Sequence, residues 1–185
     1  MALTGPFAQH ADPGATRPCP GATEGLAAPR VCWHWLAFED LSPHDLYAAL
    51  ALRAAVFVVE QGCPFLDPDG WDARALHLLG WDATRGNVTP RLIAYLRVLP
   101  PGLKHREPVI GRVITAASHR RLGLGRLLMI EGLRRTRTVF PCVSIRVAAQ
   151  QRLERFYASL GFAPIGASYV EDDLPHVDMV LPPGR

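Results

Sequence analysis

Apolar residues along this chain occur in two patterns, one typical of strands and one typical of helices. Runs of apolar, often β-branched residues that are bounded by turn-forming residues predict strands. Such runs occupy residues 31–38, 77–81, 91–99, 108–115 and 143–147, and two further strands are predicted around the acidic loop 171–176. The runs 77–81, 91–99 and 108–115 have connections too short for crossover helices, which predicts an antiparallel meander.

Three segments carry helical signals. Ser42 is a predicted N-cap, followed by Pro43 at the first helical position and by Asp45 three residues past the cap. A second helix is predicted from Leu124 to about residue 137, and a third over residues 151–160, with Gly161 as its C′ glycine. Strands and helices together predict an α+β fold in which helices flank a mixed sheet.

Composition predicts one folded domain and a leader. The chain has 185 residues, of which 49% are hydrophobic and 20% charged, enough for one domain with a real core. Residues 1–30 are rich in Pro, Gly and Ala without apolar periodicity, so we expect a disordered leader before a single domain over residues 31–183.

Charge and cysteine usage exclude several classes. The net charge of +3 is too small to favour a polyanionic partner through the whole-protein field. The four cysteines show no C-x-x-C spacing, so we expect neither a metal site nor a disulfide framework. Without a long apolar stretch or a signal-like start, the chain is predicted to be a soluble cytoplasmic protein with no membrane partner.

A basic cluster is the main local departure from neutrality. Residues 119–137 contain six arginines and one acid, Glu131. Three readings stay open at this stage: a solvated helix face, a site for a multiply phosphorylated small ligand, and a nucleic-acid surface. The lack of interleaved aromatic residues disfavours stacking on single-stranded nucleic acid.

A glycine-rich turn lies inside this cluster, after a predicted strand and before a predicted helix. Its pattern is Arg120-x-x-Gly123-x-Gly125. Glycines allow backbone N–H groups to converge on an anion, and a helix N-terminus favours negative charge. Arg126 and Leu127 follow Gly125, so this is no Walker A loop, and without a third glycine it is no dinucleotide fingerprint. An arginine-rich turn without a ligand is the alternative.

Two polar features belong to the other half of the chain. Arg53 interrupts an apolar helix face, either as an edge residue that extends its charge into solvent or as a partner for a substrate or structural anion. Asp67 and Asp69 lie in an acidic loop that lacks the glutamate of a calcium site. Their carboxylates either hold a cationic substrate amine or cap turns.

In combination, these motifs resemble GCN5-related N-acetyltransferases (GNAT). Arg-x-x-Gly-x-Gly opens a helix, a strand follows, and Phe156-Tyr157-x-x-x-Gly161-Phe162 closes the next helix. The ElaA branch of that superfamily is resembled by residues 52–61, Cys63-Pro64-Phe65, Asp67-x-Asp69-Gly70-x-Asp72, His77 and Leu174-Pro175-His176. The resemblance covers residues 31–182 and implies a GNAT-like sheet of six to seven strands.

The resemblance also implies an acetyl-CoA-dependent reaction that acetylates a primary amine in a ternary complex. Tyr157 would protonate the departing thiolate, and Glu60 is the first candidate for the general base, followed by Asp67, Asp69 and His176. The acceptor would be a small molecule or peptide amine such as a polyamine, a lysine or an N-terminus, and the protein a monomer or homodimer. The implied cofactor-binding residues are Val113, Ile114, Thr115, Arg120, Arg121, Leu122, Gly123, Leu124, Gly125, Arg126 and Gln150, and the implied acceptor-site residues are Arg53, Gln61, Asp67, Asp69 and His176.

Two rival functions remain. A non-catalytic acyl-CoA-binding or regulatory module would keep the glycine-rich turn without turnover. A basic nucleic-acid-binding domain would use the arginines of residues 120–137, and its duplex binding would depend steeply on salt.

Overall fold

The computed structural model describes residues 30–63, 65–84, 90–171 and 173–184. Within these ranges one mixed sheet has the strand order β1-β2-β3-β4-β5-β7-β6. Its strands are β1 (Val31–Ala37), β2 (Leu76–Asp82), β3 (Leu92–Leu99), β4 (Val109–Thr115), β5 (Ile145–Gln150), β6 (Ala163–Glu171) and β7 (Leu174–Leu181). All neighbours pair antiparallel except β4 and β5, so the predicted meander and mixed sheet are confirmed.

Helices cover both faces of the first half of the sheet. They are α1 (Pro43–Arg53), which continues as a π-helical segment (Ala54–Glu60), α2 (Leu124–Val139) and α3 (Glu154–Ala158). The predicted cap of α1 is confirmed as a capping box, because Ser42 and Asp45 each accept a hydrogen bond from the other's backbone N–H at 3.1 Å. None of the described helices is long and apolar enough to cross a lipid bilayer.

The core has two parts, one on each face of the sheet. On one face, Leu128 and Met129 of α2 pack fully buried against the central strands. α2 approaches β3 so closely that a Cβ on Gly132 would lie 2.6 Å from Leu96 Cδ2. On the other face, Ala49 and Val56 pack against a cluster centred on β2 and β3. This second cluster does not extend over β5, β7 and β6, whose face is therefore left uncovered.

The short parallel pairing of β4 with β5 leaves an opening in the sheet. These parallel strands pair only at Val109 with Arg146 and at Ile110 with Val147. Immediately afterwards β4 has an irregularity in its pairing with β3, where Arg112 takes a left-handed φ of 52°. The two strands therefore diverge beyond Ile110, and the sheet is open in its middle.

Two elements differ from the sequence prediction. The predicted third helix is divided into a 3₁₀ turn (Gln151–Leu153) and the short α3. β6 is nine residues long, but the sequence predicted only its end. The rest was missed because all nine side chains are exposed, so no alternation of apolar and polar residues marks the strand. Residues 1–29 of the predicted leader and residues 85–89 of the polar loop lie outside the described residues.

Candidate active site

A cavity of about 360 Å³ lies on the uncovered face of the sheet, at the point where β4 and β5 diverge. The segment after α1 forms one wall, and β6 and β7 form the other. Alternate strand residues form its floor, as expected for side chains on one face of a sheet: Gly111, Val113, Ala148, Gln150, His176 and Asp178.

The open edge of β4 contains Val113, Ile114 and Thr115, which the family resemblance implies as cofactor-binding residues. Pairing with β5 ends at Ile110, so the edge of residues 111–115 faces the opening instead of a neighbouring strand. Val113 lines the cavity directly. Predicted roles for Val113, Ile114 and Thr115 stay predictions, but the strand geometry leaves their edge accessible to a ligand.

The glycine-rich turn has the backbone geometry of an anion site. Arg121 and Gly123 both have left-handed φ values, of 63° and 74°, and Gly123 is the N-cap of α2. Such conformations direct successive N–H groups toward one side of the chain. The amides of residues 121–125 donate to no acceptor within the part of the chain that the structure describes. The turn and the N-terminus of α2 can therefore both bind an anion.

The arginine side chains of this turn have different partners. Arg120 donates to both carboxylate oxygens of Glu60, at 2.6 and 2.7 Å. Arg126 donates to Ser159 Oγ at 2.9 Å and joins α2 to the end of α3. Arg121 is exposed and makes no polar side-chain contact with a described residue. Of the three predicted phosphate ligands, Arg121 is thus the one whose guanidinium is available.

The ion pair between Glu60 and Arg120 affects the predicted role of Glu60 as general base. The hydrogen bonds from Arg120 hold the pKa of Glu60 below its usual range. A carboxylate with a lowered pKa is a weaker proton acceptor, and protonating it would also break a bidentate ion pair. The role of Glu60 as general base stays a prediction, and this geometry does not favour it.

Tyr157 has the properties of a proton donor. It is 5% exposed, and its ring packs edge-on against Phe156 and Phe162 with centroid distances of 5.2 and 5.8 Å. Burial raises the pKa of Tyr157 to about 12, so the phenol stays protonated at neutral pH. Tyr157 lines the cavity, and its hydroxyl has no hydrogen-bond partner among the described residues.

Gln61 and Gln150, far apart in the sequence, meet at the cavity. Gln150 Nε2 donates to Gln61 Oε1 at 3.2 Å, and Arg152 Nε donates to Gln150 Oε1 at 2.9 Å. This chain of hydrogen bonds joins the end of the π-helical segment to the end of β5. Both residues line the cavity, and the predicted roles of Gln61 at the acceptor and of Gln150 at the cofactor stay predictions.

The loop after Gln61 is held by a buried network of arginines and aspartates. Arg53, 1% exposed, lies 2.7 Å from Asp67 and 2.8 Å from Asp72. Arg97 binds both Asp69 oxygens at 2.6 and 2.7 Å and Asp72 at 2.7 Å. The reading of Arg53 as a solvent-reaching edge residue is wrong, because its guanidinium is enclosed by carboxylates.

Asp67 and Asp69 are balanced by arginines on more than one side. Arg112 Nε lies 2.8 Å from Asp67, without the angle of a hydrogen bond, and Arg112 Nη2 donates to Asp69 at 3.2 Å. Burial alone would raise the pKa of Asp69, but Arg97 and Arg112 hold it well below its usual range. The predicted contact with a substrate amine stays a prediction, and the geometry favours a structural role for both carboxylates.

His77 extends this network into the core. Its Nε2 lies 3.0 Å from the Asp72 carbonyl oxygen, which can only accept, so Nε2 carries the proton. Nδ1, 2.8 Å away from the Tyr95 hydroxyl, is then the acceptor. Burial lowers the pKa of His77 and keeps its ring neutral. The ring thereby fastens the acidic loop to β2 and β3.

A second group of polar side chains lies across the cavity from the acidic loop, on β5, β6 and β7. Asp178 accepts from Arg146 Nη1 at 2.8 Å and from the Tyr169 hydroxyl at 3.0 Å. His176 stacks on Tyr169, with ring centroids 6.1 Å apart, and its Nδ1 lies 2.9 Å from the Leu174 carbonyl oxygen. Sequence reasoning missed Arg146, Tyr169 and Asp178; Arg146 inside an alternating strand was the available signal.

The described residues contain no candidate metal site, since no three of their His, Cys, Asp or Glu side chains are placed to share an ion.

The basic face of α2 is partly neutralised, because Glu131 accepts hydrogen bonds from Arg134 and Arg135 at 2.7 Å. These two pairs hold the pKa of Glu131 at about 2.

Comparisons with known proteins agree with this geometry. A family model described as "Acetyltransferase (GNAT) domain" matches residues 101–182. Protein ElaA from Escherichia coli K12 is 40% identical over 149 residues, which are 80% of this chain and 94% of that protein.

Two crystal structures are similar over nearly their whole length. An acyl-CoA N-acyltransferase from Pseudomonas aeruginosa has a TM-score of 0.76 and 36% identity, and Escherichia coli ElaA has a TM-score of 0.74 and 38% identity. In both comparisons 82% of this chain and 99% of the other are covered. The chain therefore belongs to the GNAT acetyltransferases, in their ElaA-like branch.

Proposed function

We propose that this protein transfers an acetyl group from acetyl-CoA to a primary amine. The observation that carries the proposal is the hydroxyl of the buried Tyr157, protonated and without a hydrogen-bond partner among the described residues, in a cavity beside the open edge of β4. Family membership supports the donor class, since GNAT enzymes use acyl-CoA. Acetyl as the acyl group and a primary amine as the acceptor are the finer parts of the proposal.

Binding of the donor divides between two parts of the fold. The amides of residues 121–125, with the guanidinium of Arg121, would hold the pyrophosphate. The pantetheine arm would lie in the opening between β4 and β5, with the thioester carbonyl at the β4 edge. Backbone N–H groups directed at that oxygen would stabilise the charge that develops on it.

The reaction itself is a direct transfer. The neutral amine attacks the thioester carbon, a C–N bond forms, and the carbonyl oxygen gains charge. As the intermediate collapses the C–S bond breaks, and the CoA thiolate takes the proton of the Tyr157 hydroxyl. No covalent enzyme intermediate is needed, because both substrates are held in one cavity.

A Tyr157→Phe substitution tests this proposal. We expect kcat for acetylation of a primary amine to fall by about a hundredfold or more, because a positioned general acid contributes at least that much. The dissociation constant for acetyl-CoA should stay unchanged, since the ring still packs on Phe156 and Phe162. CoA release measured with acetyl-CoA and a panel of amines gives kcat, and calorimetry gives the affinity.

Tyr47→Phe is the matched control, because Tyr47 is exposed on α1 and lies outside the cavity. It should behave like the wild type in both measurements. A Tyr157→Phe variant with wild-type kcat would remove the general-acid role. Tight acetyl-CoA binding without turnover of any amine would favour the rival acyl-CoA-binding module.

A further inference from the structure

The geometry points to Nε2 of His176 as the base that takes a proton from the acceptor amine; this inference rests on the proposed acetyltransferase function. The starting point is the tautomer of His176. Its Nδ1 lies 2.9 Å from the Leu174 carbonyl oxygen, and a carbonyl can only accept. Nδ1 therefore carries the proton of the neutral ring, and Nε2 keeps its lone pair.

That lone pair is available to a ligand. His176 is half-buried and lines the cavity, and no described residue hydrogen-bonds its Nε2. A histidine whose second nitrogen is fixed by a carbonyl is prepared to accept a proton at the other nitrogen. The contact to Leu174 also opposes rotation of the ring, because the Nδ1 hydrogen bond would be lost.

Neighbouring residues hold the ring in place. His176 stacks on Tyr169 with an interplanar angle of 26°. The Tyr169 hydroxyl donates to Asp178, which also accepts from Arg146, so the stacking partner is itself fixed. Tyr169 and Asp178 are positioning residues in this arrangement, since they act on the substrate only through His176.

The strand register connects the base to the proposed acid through the end of β5. β5 and β7 pair antiparallel, and His176 lies directly opposite Gln150, the last residue of β5. From Gln150 the chain passes through one 3₁₀ turn into α3, which carries Tyr157. Both His176 and Tyr157 line the cavity, so an amine and a thioester between them would have a proton acceptor and a proton donor at hand.

The other candidate bases are already engaged. Glu60 is held by Arg120, and Asp67 and Asp69 are each held by two arginines. Protonating any of these carboxylates would break an ion pair, whereas protonating Nε2 breaks no described contact. The charged and titratable groups that line the cavity around His176 are Tyr169 and Glu171 of β6, Asp178 of β7, Arg146 of β5, and Arg152 and Tyr157 after β5.

The proton balance of the reaction is complete with these two residues. An alkylammonium acceptor loses two protons in becoming an amide. His176 Nε2 takes the first and releases it to solvent, which frees the nitrogen lone pair for attack on the thioester carbon. The second leaves the nitrogen as the intermediate collapses and returns through solvent to the Tyr157 phenolate, which has given its own proton to the CoA thiolate.

The test compares the wild type with His176→Gln in the full-length chain. The substrates are acetyl-CoA and three amines: spermidine, lysine and a short peptide with a free N-terminus. We expect kcat/KM of the wild type to fall as the pH is lowered, because a protonated Nε2 can no longer accept the proton of the amine. In the variant we expect kcat/KM to be about a hundredfold lower at neutral pH, without that acid limb.

A structural role alone would not produce the next two results. Added imidazole should restore part of the activity of His176→Gln, and the dissociation constant for acetyl-CoA should not change. His34→Gln is the matched control, since His34 is an exposed residue of β1 outside the cavity. His176→Asn, whose shorter amide also provides a donor, repeats the test if the glutamine variant loses its circular-dichroism spectrum.

The outcomes separate the two proposals. A variant that keeps the wild-type kcat/KM, or that keeps the same acid limb, would overturn the role of His176 and leave the acetyltransferase function standing. Wild-type protein that acetylates none of the amines would overturn the function and, with it, this inference.

Discussion

The acidic loop and the glycine-rich turn differ in whether their polar groups are hydrogen-bonded within the protein. In the acidic loop, Asp67, Asp69 and Asp72 are each bonded by arginines inside the protein. In the turn, the amides of residues 121–125 have no acceptor among the described residues. Satisfied polar groups fix a shape, and unsatisfied ones are available to a ligand. The first region therefore builds the wall of the cavity, and the second has backbone groups available to a ligand.

Breaking the buried network should give the largest effect. Arg53→Ala removes one of the two arginines that hold each of Asp67 and Asp72, and leaves only Arg112 beside Asp67 and only Arg97 beside Asp72. Breaking a buried ion pair by removing one partner typically costs about 3–5 kcal/mol. We expect the free energy of unfolding, measured by urea denaturation, to fall by this amount. Arg134→Ala is the control, because its ion pair with Glu131 is on the surface and should contribute nothing measurable. Equal losses in the two variants would contradict a structural role for the network.

Distorting the turn should give a smaller effect, confined to ligand affinity. Gly123 has a φ of 74°, and a β-branched residue there is strained by about 1–2 kcal/mol. Gly123→Val should thus displace the converging amides and weaken acetyl-CoA binding by about tenfold in a calorimetric titration. Gly102→Val carries similar strain at a φ of 85° on an exposed turn and should bind normally. Equal affinities in the two variants would remove the turn from the binding site.

The pH dependence of stability should show the smallest difference. Burial lowers the pKa of His77 below its ordinary value of 6.5, so the folded state disfavours the charged ring. Below pH 6.5 the unfolded chain takes up a proton that the folded chain refuses, and stability is lost as the pH falls toward the folded-state pKa. His77→Gln should be less stable at neutral pH but should lose less stability between about pH 7 and 5.

Thermal unfolding over this pH range measures the effect, with His34→Gln as the exposed control. The control should keep the wild-type slope of melting temperature against pH. If His77→Gln kept that slope as well, His77 would not be the source of the acid sensitivity in this range.

Features that depend on neighbouring residues could be predicted from the sequence. The capping box of Ser42 and the turn at Gly123 are of this kind, because residue type and local backbone conformation decide them. The antiparallel meander was predictable too, since connection length limits topology. Together with the Phe156-Tyr157-x-x-x-Gly161-Phe162 motif, the glycine-rich turn was enough to identify the family.

Features that depend on distant partners were not predictable. Arg53 meets aspartates 14 and 19 residues away, and Arg112 meets a residue 43 positions away, so the sequence showed charges without their pairs. The tautomer of His176 likewise depends on where one carbonyl oxygen lies. Sequence reasoning named His176 among the candidate bases but ranked Glu60 first for its place at the end of the first helix. The ion pair of Glu60 with Arg120, 60 residues away, could not be read from the sequence.

The brief contact between β4 and β5 also has a mechanical consequence. Among the described residues, two pairs are all that join the two halves of the sheet directly. The pantetheine arm of CoA carries amide groups of its own, spaced along an extended chain. Laid against the open edge of β4, it would act as a guest strand that completes the sheet. Bound acetyl-CoA would then be part of the sheet, and the enzyme would be most rigid while the donor is bound.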